Sequence, residues 1–193
     1  HPSIYIWGIL NECASDTEYG KSCYKAQFEL IESLDKTRPR SFSSCRFKTD
    51  ICFDLVDVVS YNIYPKWYHN TPVAEYLDDL YKWVQTTPGE GKPFLITEVG
   101  AGAIYGYRTP AKVKWSEEYQ VQALEEQLNA ILSYNDCSGV YIWQFCDVRV
   151  TNDWWSTRPR TMNNKGIVDE YRRPKLAYET VKKIFSSVDT YRE

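Results

Sequence analysis

The chain alternates between short apolar runs and segments in which apolar residues recur with helical spacing. Apolar runs bounded by proline, glycine or polar residues are typical of the interior strands of a sheet. Such runs occupy residues 4–10, 55–61, 94–97 and 139–143, and a short strand is also expected at residues 40–44. Helical spacing occupies residues 24–34, 71–84, 116–132 and 174–186. This alternation predicts an α/β fold with a parallel sheet covered by helices, either an open sheet or a piece of a barrel.

Local signals mark where two of these helices begin. Thr71 followed by Pro72 fits a capping residue with proline at the first helical position. Ser116 followed by Glu117 and Glu118 combines a capping hydroxyl with carboxylates in the first turn, where the helix dipole favours negative charge. Both signals support the helical assignment of the segments that follow them.

Two of the predicted strands end in a glutamate. Glu98 follows an apolar run and precedes Gly100, and Glu12 follows another run and Asn11. A charged side chain at the end of a buried strand costs free energy unless it has a task, and catalytic groups of parallel α/β folds lie at the carboxyl ends of strands. Two such carboxyls, one protonated and one ionised, are what retaining glycoside hydrolysis requires. The alternative is that each side chain simply points to solvent.

Composition and charge narrow the classes of function. A chain of 193 residues with 43% hydrophobic and 25% charged residues is typical of one globular domain. The net charge of -3 and the scattered basic residues predict no nucleic-acid partner. The chain has neither an apolar run of about 20 residues nor a signal-peptide pattern, so we expect no membrane segment and a cytoplasmic location. The 16% aromatic content, with 7 Trp and 16 Tyr, favours a sugar-binding cleft.

Other common kinds of site are not expected. The cysteines form no C-x-x-C pair and are interpreted as reduced and mostly structural in apolar or strand-like contexts; they are Cys13, Cys23, Cys45, Cys52, Cys137 and Cys146. With two histidines in the chain, no zinc-binding spacing is present, and we predict neither metal nor cofactor. The glycines of residues 100–106 do not fit a dinucleotide-binding loop. Asp147, Asp153 and Asp169 are interpreted as surface or loop acids.

Four segments resemble the catalytic barrel of glycoside hydrolase family 2. They are His1-Pro2-Ser3-Ile4 through Trp7 to Asn11-Glu12, Ile96-Thr97-Glu98-Val99-Gly100, Trp115-Ser116-Glu117-Glu118-Tyr119-Gln120, and Val140-Tyr141-Ile142-Trp143-Gln144-Phe145. The resemblance implies a (β/α)8 TIM barrel of which only about strands 4 to 8 and their helices are present. Residues 1–193 would form the C-terminal part of that barrel, without its first three strands and without the preceding β-sandwich domains. We therefore expect exposed sheet edges, possible pairing or homo-oligomerisation through them, and little or no activity of this chain alone.

The resemblance also implies roles for individual residues. Glu98 would be the nucleophile, Glu12 the acid/base, and Asn11 a ligand of the sugar 2-hydroxyl. The segment at residues 163–166 is similar to the Asn-x-Lys-Gly segment of the family's β-glucuronidases, in which Asn and Lys bind the sugar carboxylate. Further substrate-binding matches are Tyr64, Tyr68, Trp143, Arg160, Asn163 and Lys165.

These matches predict retaining hydrolysis of terminal β-D-glucuronides, with a carbohydrate as the partner. One alternative is a β-galactosidase or another β-glycosidase of the family that uses the same two glutamates. A second alternative is a carbohydrate-binding or structural module without catalysis. For residues 163–165, a solvated turn without a binding role is the competing interpretation.

Overall fold

The computed structural model describes residues 1–188. Within them, the main sheet has its strands in chain order, and β1 pairs with β2 and β2 with β3 in parallel. The strands are β1 (Trp7–Asn11), β2 (Arg40–Ser44), β3 (Val59–Asn62), β4 (Phe94–Val99) and β5 (Cys137–Ile142). The predicted α/β class with a parallel sheet is confirmed.

Helices separate most of the strands along the chain. They are α1 (Glu18–Leu34), α2 (Val73–Val84), α3 (Glu117–Leu132) and α4 (Leu176–Ser186). After β5, a small antiparallel pair forms from β6 (Val148–Arg149) and β7 (Met162–Asn163). Short 3-10 turns occupy Phe53–Leu55, Asn152–Thr157 and Pro159–Thr161.

The chain divides into two compact units. The first consists of His1–Ile63, Ala74–Thr97 and Asn135–Val140, and it holds most of the main sheet with α1 and nearly all of α2. The second consists of Tyr64–Val73, Glu98–Tyr134 and the chain from Tyr141 onward, and it holds α3, α4 and the β6–β7 pair.

Aromatic side chains build much of the first unit's core. Phe42 of β2 lies 4.7 Å from Tyr24 of α1 and 6.0 Å from Phe53, measured between ring centroids. Phe53 contacts Tyr61 at 5.8 Å, and Tyr61 contacts Phe94 at 6.3 Å. Such pairs stabilise a core beyond the area they bury. A substantial part of the aromatic content therefore serves packing.

In the second unit, α3 and α4 pack together through apolar faces. The buried apolar residues are Ala123, Leu124, Leu128, Ile131, Ala177 and Val181. Glu117, at the start of α3, is 4% exposed and accepts hydrogen bonds of 2.6 Å from the backbone N–H groups of Gly106 and Leu176. Because these are charge-assisted bonds, Glu117 ties the start of α4 and the loop after β4 to α3.

The observed boundaries differ from the predicted ones where polar contacts decide them. Helix α1 begins at Glu18, six residues before the apolar pattern begins, because Thr17 caps it by accepting a hydrogen bond from the Gly20 N–H. Strand β3 begins at Val59, later than the predicted residue 55, because residues 53–55 form a 3-10 turn. The predicted cap at Ser116 is confirmed, since its hydroxyl accepts from the Tyr119 N–H.

Asp147, Asp153 and Asp169 were interpreted as surface or loop acids, and Asp153 is exposed. Asp147 and Asp169 do lie in loops, but they are buried and are not surface residues. Asp169 has no exposed surface, and it accepts hydrogen bonds from the backbone of Tyr171 and from the backbone and guanidinium of Arg173. Asp147 is buried because it has a lysine partner, described below. Local sequence does not reveal such partners.

Candidate active site

Glu12 lies directly after β1 in the first unit, and its backbone conformation is unusual. Its φ is 53°, in the left-handed region that side chains other than glycine rarely adopt. A hydrogen bond of 2.9 Å from its N–H to the Ser43 carbonyl holds it beside the end of β2. Residues kept in such conformations cluster at functional sites. The side chain itself is exposed and therefore available to a ligand.

An amide at the end of β3 holds the Glu12 carboxylate. The Asn62 amide nitrogen donates hydrogen bonds of 2.9 Å to Glu12 Oε1 and to Asn11 Oδ1. Thr97 Oγ1 in turn donates to Asn62 Oδ1 at 2.8 Å, which fixes the orientation of the amide. Asn62 was missed in the sequence, although the end-of-strand rule that singled out Glu12 applies equally to it.

Glu98 lies near the end of β4, in the second unit, and is half-buried. The Tyr64 hydroxyl donates a short hydrogen bond to Glu98 Oε2. The Tyr64 ring packs edge-on against Tyr68, with 5.3 Å between centroids. The structure therefore brings together two predicted substrate-binding tyrosines and the predicted nucleophile.

The backbone approaches so closely at Gly100, two residues after Glu98, that this position requires a glycine. A Cβ atom at Gly100 would lie 2.2 Å from the carbonyl oxygen of Trp143, so only glycine permits the backbone approach. The Trp143 N–H donates to the Val99 carbonyl at 2.9 Å, which holds the residue after β5 next to the end of β4. Trp143 keeps 38% of its surface exposed and remains available for contact with a sugar ring.

Lys165 follows β7 and is only 3% exposed. Its ammonium nitrogen lies 5.5 Å from the ring centroids of Tyr64 and Tyr68 and 5.8 Å from that of Trp67. Burial lowers the pKa of Lys165, whereas Tyr68 and the charge of Glu98 favour its protonated form. The faces of these rings attract a cation, and the charge of Glu98 adds to that attraction. This arrangement suits an anionic group of a ligand.

The arginine beside this cluster is Arg158. Its Nη2 donates to the Tyr68 hydroxyl at 3.3 Å. Burial opposes ionisation of Tyr68, but the bond from Arg158 and the charge of Lys165 outweigh it and leave the pKa of Tyr68 below its usual value. Arg160, the predicted carboxylate ligand, instead forms an ion pair of 2.5 Å with Glu170.

Asn163 ends β7 and shapes the turn that follows it. Its Oδ1 accepts a hydrogen bond of 3.3 Å from the backbone N–H of Lys165. This contact keeps two of the predicted carboxylate-binding residues in one compact turn. The competing interpretation of a solvated turn does not fit, because Asn164, Lys165 and Gly166 are all buried.

The described part of the chain contains no group of three or more His, Cys, Asp or Glu residues placed to hold a metal ion. No helix within residues 1–188 combines the length and the apolar character needed to cross a bilayer. All six cysteines are free thiols; Cys13, Cys23 and Cys45 are exposed, so the prediction of apolar surroundings was wrong for them.

A comparison with protein-family models matches residues 1–190 to the TIM barrel domain of glycosyl hydrolases family 2. The chain belongs to this family. Its membership confirms the predicted barrel fold class, of which the five-stranded sheet within residues 1–188 is a part. The suggested division into an incomplete barrel with missing preceding domains stays a prediction.

Family 2 relatives extend well beyond the matched region. The β-glucuronidase of Rattus norvegicus is 33% identical over 189 residues, covering 92% of this chain and 28% of its own length. A crystal structure of a β-galacturonidase from Eisenbergiella tayi bound to galacturonate is 74% identical, with a TM-score of 0.98, covering 100% of this chain and 35% of that one. A β-D-glucuronidase structure from Dictyoglomus thermophilum is 26% identical, with a TM-score of 0.90, covering 100% and 33%. The chain thus spans about a third of the length of the relatives it matches.

Proposed function

We propose that the natural protein carrying this chain hydrolyses terminal β-linked uronides with retention of configuration. In this proposal Glu98 is the nucleophile and Glu12 the acid/base. The observation that carries it is the buried Lys165 ammonium, which lies among Tyr64, Trp67 and Tyr68 and is influenced by the charge of Glu98. The proposal concerns the whole protein, of which the relatives suggest this chain is about a third.

The surroundings of the two glutamates support different roles. A nucleophilic carboxylate must be ionised and oriented, and the hydrogen bond from Tyr64 to Glu98 favours both. An acid/base must exchange its proton repeatedly, and the exposed Glu12 is accessible for that exchange. Asn11, positioned by Asn62, would bind the sugar 2-hydroxyl. These contacts also support catalysis over a purely binding or structural module.

The proposed substrate class follows from the positive charge around Lys165. Lys165 and Asn163 would bind the sugar carboxylate, with Arg158 beside them through Tyr68. A uronate would supply a carboxylate that accepts charge-assisted hydrogen bonds from the buried Lys165 ammonium. A neutral hexose offers no carboxylate for such bonds, which disfavours the β-galactosidase alternative.

Among uronides, β-galacturonides are the first candidate and β-glucuronides the second. The 74% identity to the Eisenbergiella tayi β-galacturonidase extends over the whole chain and supports galacturonides. The curated β-glucuronidases are less similar, at 33% identity or below, but support the glucuronide specificity that the sequence motifs predict.

Initial rates on matched 4-nitrophenyl β-D-galacturonide, β-D-glucuronide and β-D-galactoside test the substrate class. We expect kcat/KM to be highest for the galacturonide. Hydrogen bonds to charged groups contribute about 1.5–3 kcal/mol, so Lys165→Met should lower kcat/KM for both uronides about tenfold to a hundredfold. The galactoside rate should remain unchanged. Lys182→Met, at an exposed lysine of α4, is the matched control.

Equal losses on uronide and galactoside in Lys165→Met would contradict the carboxylate assignment. The retaining mechanism is tested separately with a 2-deoxy-2-fluoro-β-uronosyl fluoride, which traps a covalent glycosyl-enzyme intermediate. Peptide mass spectrometry should locate the label on Glu98, and Glu98→Gln should abolish it. A label on another residue would reject Glu98 as the nucleophile.

A further inference from the structure

Asp147 and Lys175 form an ion pair whose side chains have no exposed surface. Lys175 Nζ lies 2.8 Å from Asp147 Oδ1. Asp147 belongs to the loop after β5, and Lys175 immediately precedes α4. Neither residue belongs to the catalytic or carboxylate-binding set described above.

The Lys175 ammonium connects three separate segments of the second unit. Besides Asp147, it donates to the carbonyl oxygens of Ala103 at 2.6 Å and Asn164 at 3.0 Å. Ala103 lies in the loop after β4, and Asn164 immediately precedes Lys165. An ammonium has three protons, and here each has an acceptor from a different segment.

Asp147 holds the other side of Lys165. Its Oδ1 also accepts a hydrogen bond of 2.9 Å from the Gly166 N–H. Its Oδ2 is buried and makes no hydrogen bond within the described part of the chain. The pair therefore contacts the residue before Lys165 and the residue after it, and only one carboxylate oxygen is used.

Backbone contacts restrain the same segment further. The Ala103 N–H donates to the Asn164 carbonyl at 2.8 Å, and the Gln144 N–H donates to the Lys165 carbonyl at 3.1 Å. A Cβ at Gly166 would lie 2.3 Å from the backbone nitrogen of Asp147, so a glycine is required at this close approach. The Lys165 backbone is thus fixed on both sides, while its side chain extends toward Tyr64 and Tyr68.

Stability alone does not account for a buried pair of this kind. Burial raises the pKa of Asp147 to about 6 and lowers that of Lys175, so desolvation opposes ionisation of both. Replacing a buried ion pair by apolar residues is often neutral or stabilising. Geometry is what the pair supplies here, because an apolar pair could not bind the Asn164 carbonyl and the Gly166 N–H together.

We propose that Asp147 and Lys175 are positioning residues that set the place of the Lys165 ammonium, and through it the recognition of the sugar carboxylate. This inference rests on the proposed uronide specificity. It predicts that the pair acts on substrate binding through Lys165 and leaves the chemistry at Glu98 nearly unchanged.

A double-mutant cycle in the natural full-length protein tests this role. Asp147→Asn/Lys175→Met removes both charges, retains an acceptor for the Gly166 N–H, and removes the connection to Ala103 and Asn164. We expect KM for the 4-nitrophenyl uronide to rise at least about tenfold, with kcat changed less than about threefold. In a Lys165→Met background the same pair of substitutions should change KM less than about twofold, because the group being positioned is absent. Lys182→Met serves as the control for lysine removal.

The results that would overturn the positioning role differ from the result that would overturn the carboxylate site itself. An equal rise in KM with and without Lys165, or a loss confined to kcat, would overturn the positioning role. If Lys165→Met itself leaves the uronide KM unchanged, the proposed carboxylate site fails, and the positioning role fails with it. If the double variant does not fold, Asp147→Asn alone decides. It should raise KM at least about twofold only when Lys165 is present, and an unchanged KM would overturn the proposal.

Discussion

The contact between Asn62 and Glu12 offers a direct test of the acid/base assignment. Asn62→Asp replaces the amide nitrogen, which donates to Glu12 Oε1 at 2.9 Å, by a carboxylate oxygen. The shape of the side chain is nearly unchanged. A favourable hydrogen bond therefore becomes a contact between two carboxyl groups, which cannot both ionise freely at that distance.

The size of the effect can be worked from the distance and the exposure. Two unit charges about 4 Å apart repel by about 1 kcal/mol in water and about 4 kcal/mol at an effective dielectric constant of about 20. Since about 1.36 kcal/mol corresponds to one pH unit, the expected displacement is about 1 to 3 pH units. Asn62 is 6% exposed but Glu12 is exposed, so the lower end of this range is expected.

The assay is the pH dependence of kcat/KM on a uronide in the natural protein. Its alkaline limb, where the general acid loses its proton, should move upward in Asn62→Asp by about 1 to 2 pH units. The two carboxyls of Asn62→Asp titrate as a coupled pair. The alkaline limb therefore reports the pH at which the pair loses its last proton, and this proton is retained to higher pH than in the parent protein. Asn135→Asp adds the same charge at an exposed position of the first unit and should leave the limb in place.

A displacement smaller than about 0.3 pH unit in a folded, active Asn62→Asp variant would refute this reasoning. It would mean that the group that loses its proton on the alkaline limb is not the Glu12 carboxyl beside residue 62. Glu12 would then no longer be supported as the acid/base.

Two further substitutions test contacts of the two units separately. Tyr64→Phe removes the donor to Glu98 and should lower kcat about tenfold to a hundredfold, since hydrogen bonds to charged groups contribute about 1.5–3 kcal/mol; kcat within twofold of the parent would exclude the role. In α1, a Cβ at Gly20 would lie 1.7 Å from the Ala14 carbonyl oxygen, so Gly20→Ala should destabilise by about 1–3 kcal/mol in urea unfolding although alanine favours helices. Gly8→Ala, where a Cβ meets nothing within 4 Å, is the control, and equal effects of the two substitutions would contradict the steric explanation.

The sequence predicted the structural features that depend on residues close together along the chain. The apolar runs and the hydroxyl cap at Ser116 are such cases, because burial and capping act over a few positions. The end-of-strand rule placed Glu12 and Glu98 correctly at the ends of β1 and β4. It would also have found Asn62, had polar uncharged residues been given the same weight as carboxylates.

The sequence was least informative where a polar residue depends on a distant partner. Asp147 lies in a polar loop and resembles a surface acid until Lys175, 28 positions later, is known to contact it. The beginning of α1 shows the same limit in another form: its first turn is held by the Thr17 side chain and lacks a regular apolar pattern.

The two arginines near residue 160 show why motif spacing alone cannot assign a binding residue. Both precede the Asn-x-Lys segment, and the family resemblance favoured Arg160. Arg160 has a φ of 58°, however, and its guanidinium binds Glu170, whereas the guanidinium of Arg158 binds the Tyr68 hydroxyl. Thr161 also has a positive φ, of 57°, and such a backbone conformation is not predictable from the spacing of residue types. Arg158 contributes charge next to Tyr68, whereas Arg160 forms an ion pair with Glu170, so the structure makes Arg158 an additional candidate and the role of Arg160 stays a prediction.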